Sequence, residues 1–165
     1  IIIPVGNLGN ISALAKGRFA TDEHLAQAST LFESVGAVVT VPESQLDAVT
    51  AVSGSGPAYF YLFVEALVDA AVANGLQRAI ATDLVAQTMA GSAAMLLERI
   101  DDERTAGTDT GLDTTPARLR AMVTSPAGTT AAGLRELERG AVRAAVTAAV
   151  DAAKTRSEQL GITSE

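Results

Sequence analysis

Apolar positions change their spacing near Pro42. Before it, residues 1–3 and 11–15 are short apolar runs that predict buried strand pieces. Gly6, Asn7, Gly9 and Asn10 between them supply turn chemistry. Thr21 is placed to cap a helix, with Asp22 and Glu23 in the first turn, where the helix dipole favours negative charge. Leu25, Ala28, Leu31 and Phe32 then share one helical face, and the pattern ends before Gly36. Residues 37–41 form a β-branched apolar run closed by Pro42. Strand, helix and strand in that order predict a parallel crossover unit, which normally belongs to a larger sheet. Two or three strands alone would leave long unpaired edges, so the sheet reads as amputated.

After Pro42 the periodicity is helical to the end. It predicts a short helix over 43–51, a break at Ser53-Gly54-Ser55-Gly56, and a new helix with Pro57 in its first turn. That helix stops at Gly75. A third runs from near Arg78 to about Glu103, and residues 105–115, rich in Gly, Thr and Asp, read as an exposed loop. Further helices are predicted over 116–123, 129–139 and 141–160, with Gly140 marking the last break. The helix over 58–73 is apolar nearly all round, so it must be covered on every side. A few helices in a small domain bury such an element only with difficulty. A partner chain in a hydrophobic interface resolves this; a central helix in a monomeric bundle is the alternative.

Composition narrows the chemistry. The 165 residues hold 12 basic and 19 acidic side chains, a net charge of −7, which opposes nucleic-acid binding. Zero Cys and a single His, His24, remove thiolate catalysis, Ser–His catalysis within one chain and the usual metal sites. The most apolar stretch, 58–72, carries Glu65 and Asp69 one turn apart, which argues against a lipid-spanning role. No charged leader precedes residues 1–3, so the expectation is a soluble, cytoplasmic chain whose true beginning is missing.

Two segments could carry chemistry. Ser53-Gly54-Ser55-Gly56-Pro57 could present backbone N–H groups to an anion, or be a tight inter-helix turn. Thr124-Ser125-Pro126-Ala127-Gly128-Thr129-Thr130 offers four hydroxyls and the free N–H groups of a helix start. Plain capping by Thr129 or Ser125 would need only one of them. A small anion there would be held by dipoles and hydroxyls, because no basic side chain lies inside the run. His24 reads as a surface or packing residue. Glu65 and Asp69 are expected to meet Arg, Thr or water, and Glu136, Glu138 and Arg139 form a solvated face. The Gly6 to Gly9 turn lacks the spacing of a dinucleotide fingerprint.

The run from Ala48 to Tyr59, with Ser53-Gly54-Ser55-Gly56-Pro57 inside it, resembles the opening of the C-terminal domain of pyrroline-5-carboxylate reductases. Pro116, Leu119, Val123, Thr124, Ser125, Ala127, Gly128, Thr130, Gly133, Leu134, Leu137 and Glu138 fit that family's signature, in order. The resemblance covers residues 11–159 and is to the C-terminal part of the actinobacterial-type enzyme. It implies a mainly all-α fold: a helical dimerisation and substrate-binding domain over 43–165. Residues 1–42 would be the remnant of a Rossmann-type, dinucleotide-binding α/β domain. It implies reduction of 1-pyrroline-5-carboxylate to L-proline, in proline biosynthesis, with NADPH or NADH bound mainly by the missing N-terminal domain.

By the same resemblance, Ser125, Ala127, Gly128, Thr129 and Thr130 would bind the substrate carboxylate. The Thr130 hydroxyl would hydrogen-bond the ring nitrogen and help protonate it. The partners implied are the cyclic imino carboxylate and a second copy in a homodimer, often built into larger rings, with no nucleic acid and no membrane. Three positions depart from the pattern: Val5 replaces an Asn, Ala127 replaces the commoner Gly, and 105–115 is longer than usual, with Asp113 where an acidic residue often stands. The 165 residues alone are expected to be inactive. A helical scaffold without a ligand site, or a related reductase of another imine or keto acid, are the alternatives.

Overall fold

The computed structural model describes residues 11–107 and 114–162. The expected strand at 1–3, the turn at 6–10, Val5, Asp113 and most of the 105–115 connection lie outside the described residues. The chain divides into two compact units, residues 1–62 with 143–165 and residues 63–142.

In the first unit, β1 (Ile11–Leu14) and β2 (Ala37–Thr40) pair in parallel, with Ile11 opposite Ala37 and Leu14 opposite Thr40. Helix α1 (Asp22–Glu33) makes the crossover between them. Ser12, Ala13 and Leu14 are buried, which gives this small sheet its core. Thr21 caps α1 by accepting from the His24 N–H at 3.2 Å, and His24 Nδ1 accepts from the Thr21 N–H at 3.3 Å. The single histidine thereby completes a reciprocal capping box in place of the usual Glu or Gln. Asp22 in the first turn accepts from Lys16 at 2.6 Å, and that hydrogen bond holds its carboxyl below the usual range. Leu31, on the expected apolar face, is 69% exposed.

The path out of β2 corrects the expected helix break. Residues Glu43–Gln45 form a 3-10 turn, α2 spans Leu46–Val49, and Thr50–Gly54 widen into a π turn. The Ser55 N–H closes that turn on the Thr50 carbonyl at 2.8 Å, and α3 (Gly56–Ala73) follows at once. Small residues let the backbone stay helical through a wide turn, where the sequence read as an interruption. Ala51 in this turn is fully buried. The last helix, α7 (Val142–Ile162), is tied to α2 by Ser157 Oγ, which donates to Asp47 Oδ1 at 2.6 Å.

In the second unit, the turn after α3 is closed at Gly75, whose φ of 98° is the left-handed conformation that glycine adopts without penalty. The Leu76 N–H bonds to the Ala71 carbonyl and the Gly75 N–H to the Val72 carbonyl, a Schellman closure. Arg78 then pairs with Asp69 at 2.7 Å, so one of the two acidic residues on the apolar helix meets an arginine as expected. Helix α4 (Arg78–Thr105), α5 (Thr115–Met122) and α6 (Thr129–Arg139) follow. At the end of α6 the left-handed residue is Ala141, with φ 54°, rather than Gly140. Its N–H bonds to the Glu138 carbonyl at 3.0 Å. An L side chain there is strained by about 1–2 kcal/mol, partly offset by the entropy glycine loses on folding. Ala141→Gly is therefore expected to raise stability by roughly 0.5–1 kcal/mol, read as a higher melting temperature with activity unchanged.

Among the described residues, few large apolar side chains are covered in the single chain. Val68 of α3 is buried, but Phe60, Tyr61 and Leu62 are 62, 65 and 67% exposed. On α4, Ala81 is fully buried while Leu84 is 53% and Leu97 58% exposed. The all-round apolar character of α3 is not absorbed within one chain.

Candidate functional site

Helix α5 closes with Thr124, whose N–H bonds to the Ala121 carbonyl at 3.1 Å and whose hydroxyl donates to the Arg120 carbonyl at 2.6 Å. The chain then reverses through Ser125 to Gly128. The Gly128 N–H donates to the Ser125 carbonyl at 3.1 Å across Pro126 and Ala127. Pro126 fixes the first central position, and Ala127 takes a φ of 58° at the second. That is the sign pattern of a type II turn, which normally places Gly where this chain has Ala. The substitution of Ala for Gly noted in the sequence therefore falls on the one position of the loop that requires positive φ.

Gly128, extended with φ −77° and ψ 174°, is the N-cap of α6. Neither Ser125 nor Thr129 caps the helix, which corrects the capping expectation, and the terminus carries no side-chain cap hydrogen bond. A Cβ on Gly128 would collide with Ser125 Oγ, so glycine leaves room for that hydroxyl. The Gly128 amide itself is engaged inside the turn. The donors the helix start leaves over are therefore those of its first residues, Thr129, Thr130 and Ala131.

The hydroxyls sort by position along the helices. Thr30, Thr50, Thr82, Thr88, Thr124, Thr147 and Thr155 each donate to the carbonyl four residues earlier. Thr129 and Thr130 open α6, so no preceding helical turn exists to receive their hydroxyls. Both side chains stay free of hydrogen bonds to the chain, and both residues are exposed together with Ser125 and Ala127. Of the four hydroxyls in this run, only Thr124 is taken by its own helix. The structure thus brings together Ser125, Gly128, Thr129 and Thr130 around one uncapped helix start.

The other candidates separate from it. The Ser53 to Pro57 segment is helical, and the Ser55 amide is bonded to Thr50, which removes the loop expected there. His24 is a capping residue of α1, a role that its spacing of three from Thr21 could have disclosed. Arg139 pairs with Glu136 at 3.1 Å on an exposed face, as expected. Among the described residues, no three His, Asp or Glu side chains gather in a way that could hold a metal. One group escaped the sequence reading: Glu103 at the end of α4 accepts from the Thr115 hydroxyl at 2.8 Å and from Arg118 at 2.7 Å, joining α4 to α5.

A two-stranded parallel sheet with its crossover helix, followed by helices with exposed apolar surface, defines a mainly α-helical protein. The family model for pyrroline-5-carboxylate reductase dimerisation matches residues 43–160. The chain belongs to the pyrroline-5-carboxylate reductase family. It is 68% identical to the pyrroline-5-carboxylate reductase of Mycobacterium tuberculosis (strain CDC 1551 / Oshkosh), over 94% of this chain and 54% of that protein. It is 64% identical to that of Mycobacterium leprae (strain TN), again over 94% of this chain and 54% of the relative. These mycobacterial relatives agree with the actinobacterial type seen in the sequence. Among solved structures, the Coxiella burnetii pyrroline-5-carboxylate reductase superposes with a TM-score of 0.78 at 33% identity, over 92% of this chain and 52% of that one. The Plasmodium falciparum pyrroline carboxylate reductase with NADP bound gives 0.75 at 33% identity, over 93% and 56%. The chain spans about half the length of the curated relatives it matches.

Proposed function

We propose that this chain is the C-terminal part of a cytoplasmic reductase that converts 1-pyrroline-5-carboxylate to L-proline with NADPH or NADH. Its residues 43–165 form the substrate-binding and dimerising domain, and residues 1–42 belong to the α/β domain that binds the cofactor. The start of the family match at residue 43 supports this boundary. The segment joining β1 to α1 holds a single glycine, Gly17, and does not fit a pyrophosphate-cradling loop. The cofactor is therefore assigned to the rest of the whole protein, and the 165 residues alone are expected not to oxidise NADPH.

The observation that carries the reading is the uncapped start of α6. Amides of Thr129 and Thr130 point out of a helix N-terminus, where the dipole favours a carboxylate. Ser125 and Gly128 shape the space beside them, and the Thr130 hydroxyl is free to bond the ring nitrogen. The nicotinamide supplies the hydride; this chain positions the imine and polarises it. No thiol, metal or strong base is needed, in keeping with a chain of zero Cys and one His.

A second copy of the chain covers the exposed faces of α3 and α4. The helical stretch Glu43–Ala73, which ends in α3, and α4 are each long and apolar enough to cross a membrane by length and composition. The match to a dimerisation family favours protein over lipid as their cover.

The test of the ligand site is a titration of the whole protein with L-proline, followed by amide chemical shifts. Shifts are expected to cluster at Ser125 to Ala131. Silence there, with shifts elsewhere or none, would leave only the scaffold reading.

A further inference from the structure

Helix α5 begins without a side-chain cap of its own, since Thr114 at its N-cap makes no such bond. A carboxylate from another helix stands there instead. Glu103 Oε2 accepts from Thr115 Oγ1 at 2.8 Å and Oε1 from Arg118 Nη1 at 2.7 Å. Thr115 is 2% exposed, and Glu103 is a protein acceptor that meets its hydroxyl there. The Glu103 side chain is 30% exposed, against 58% for Asp69 in the α3–α4 pair. A half-buried carboxylate at the positive end of α5 is also favoured by the helix dipole.

Leu119 and Met122 line, with Arg99 and Ala106, a cavity of about 290 Å³ beside the clamp. The polar contacts at Glu103 join α5 to α4 beside this cavity. At its other end, α5 passes through Thr124, itself bonded to Ala121 and Arg120, directly into the Ser125–Gly128 turn. A rigid helix of this length, about 12 Å, transmits a displacement at Thr115 to Ser125 and the start of α6.

We propose that Glu103 is a positioning residue for imine reduction: by holding Thr115 and Arg118 it fixes α5, and through α5 the carboxylate-binding loop. This rests on the reading of that loop as the substrate site. Glu103 touches no substrate.

The test uses the full-length reductase with Glu103→Ala, Thr115→Val and Thr115→Ser. Thr115→Val keeps the buried shape without the hydroxyl, so it reports even if Glu103→Ala fails to fold. In Glu103→Ala and Thr115→Val the KM for pyrroline carboxylate is expected to rise about tenfold, with the KM for NADPH within about twofold. Thr115→Ser is expected to match the wild type. Amide hydrogen exchange across residues 123–131 should quicken by about an order of magnitude in the first two variants, with α7 unaffected. Unchanged exchange in the loop of Thr115→Val, or exchange quickened equally throughout the chain, would overturn the proposal. Quickened loop exchange with an unchanged imine KM would keep the clamp but overturn both the substrate assignment and Glu103's part in reduction.

Discussion

Thr130→Ala in the whole reductase is expected to lower turnover of pyrroline carboxylate by about two orders of magnitude, the usual weight of a positioned proton-transfer group. Thr130 is the second residue of α6, so its hydroxyl has no helical carbonyl behind it and remains available to a ligand. The same side chain one turn further along would donate to its own backbone, as Thr147 and Thr155 do in α7. Removing the hydroxyl leaves the amides of Thr129 and Thr130 in place, so the proposed carboxylate binding is expected to persist and KM to rise far less than kcat falls. Thr130→Ser, which keeps the oxygen, is expected to retain most of the rate. Steady-state NADPH oxidation at saturating substrate separates the two variants. Equal turnover of Thr130→Ala and wild type would take the hydroxyl out of the mechanism, leaving the helix start as a binding element only.

Much of this loop was legible beforehand because it is local. A proline, two small residues and paired threonines ahead of an amphipathic run fix the start of α6, and the expected bounds of 129–139 match the helix observed. The crossover of β1 and β2 was legible for a similar reason: apolar runs flanking a capped helix leave parallel pairing as the simple outcome. The features that escaped are those where tertiary or wide-turn geometry decides. A π turn at Thr50–Gly54 uses the same Gly and Ser residues that normally signal a break. The left-handed residue fell on Ala141 although Gly140 stood beside it, because the C-terminal closure of α6 selects a position in the turn and not a residue type. Glu103 reaches Thr115 across the connection between α4 and α5, and no periodicity announces such a pair. Thr129 capping failed on register: the residue outside the helix is Gly128, and Thr129 is already its first member.

Leu62→Glu and Leu84→Glu, made singly, are each expected to dissociate the dimer at micromolar concentration. Leu62 is 67% and Leu84 53% exposed in the single chain, so neither substitution removes core packing from it. In the homodimer proposed above the same positions are expected to lie under a second copy, and two-fold symmetry doubles every change. Each copy then loses about 2 kcal/mol of leucine burial and gains a carboxylate whose desolvation costs several kcal/mol more. Twice that sum, about 10 kcal/mol, weakens the association by about seven orders of magnitude. Because only a few apolar side chains among the described residues, Leu14, Ala51 and Val68 among them, are buried within one chain, dissociation should carry helicity with it. Sedimentation velocity and far-ultraviolet circular dichroism read the two effects together. Variants that sediment and melt like the wild type would place the cover of α3 and α4 somewhere other than these leucines. Monomers with full helicity and a cooperative melt would show that one chain holds its own fold, and the second copy would then serve the site and not the scaffold.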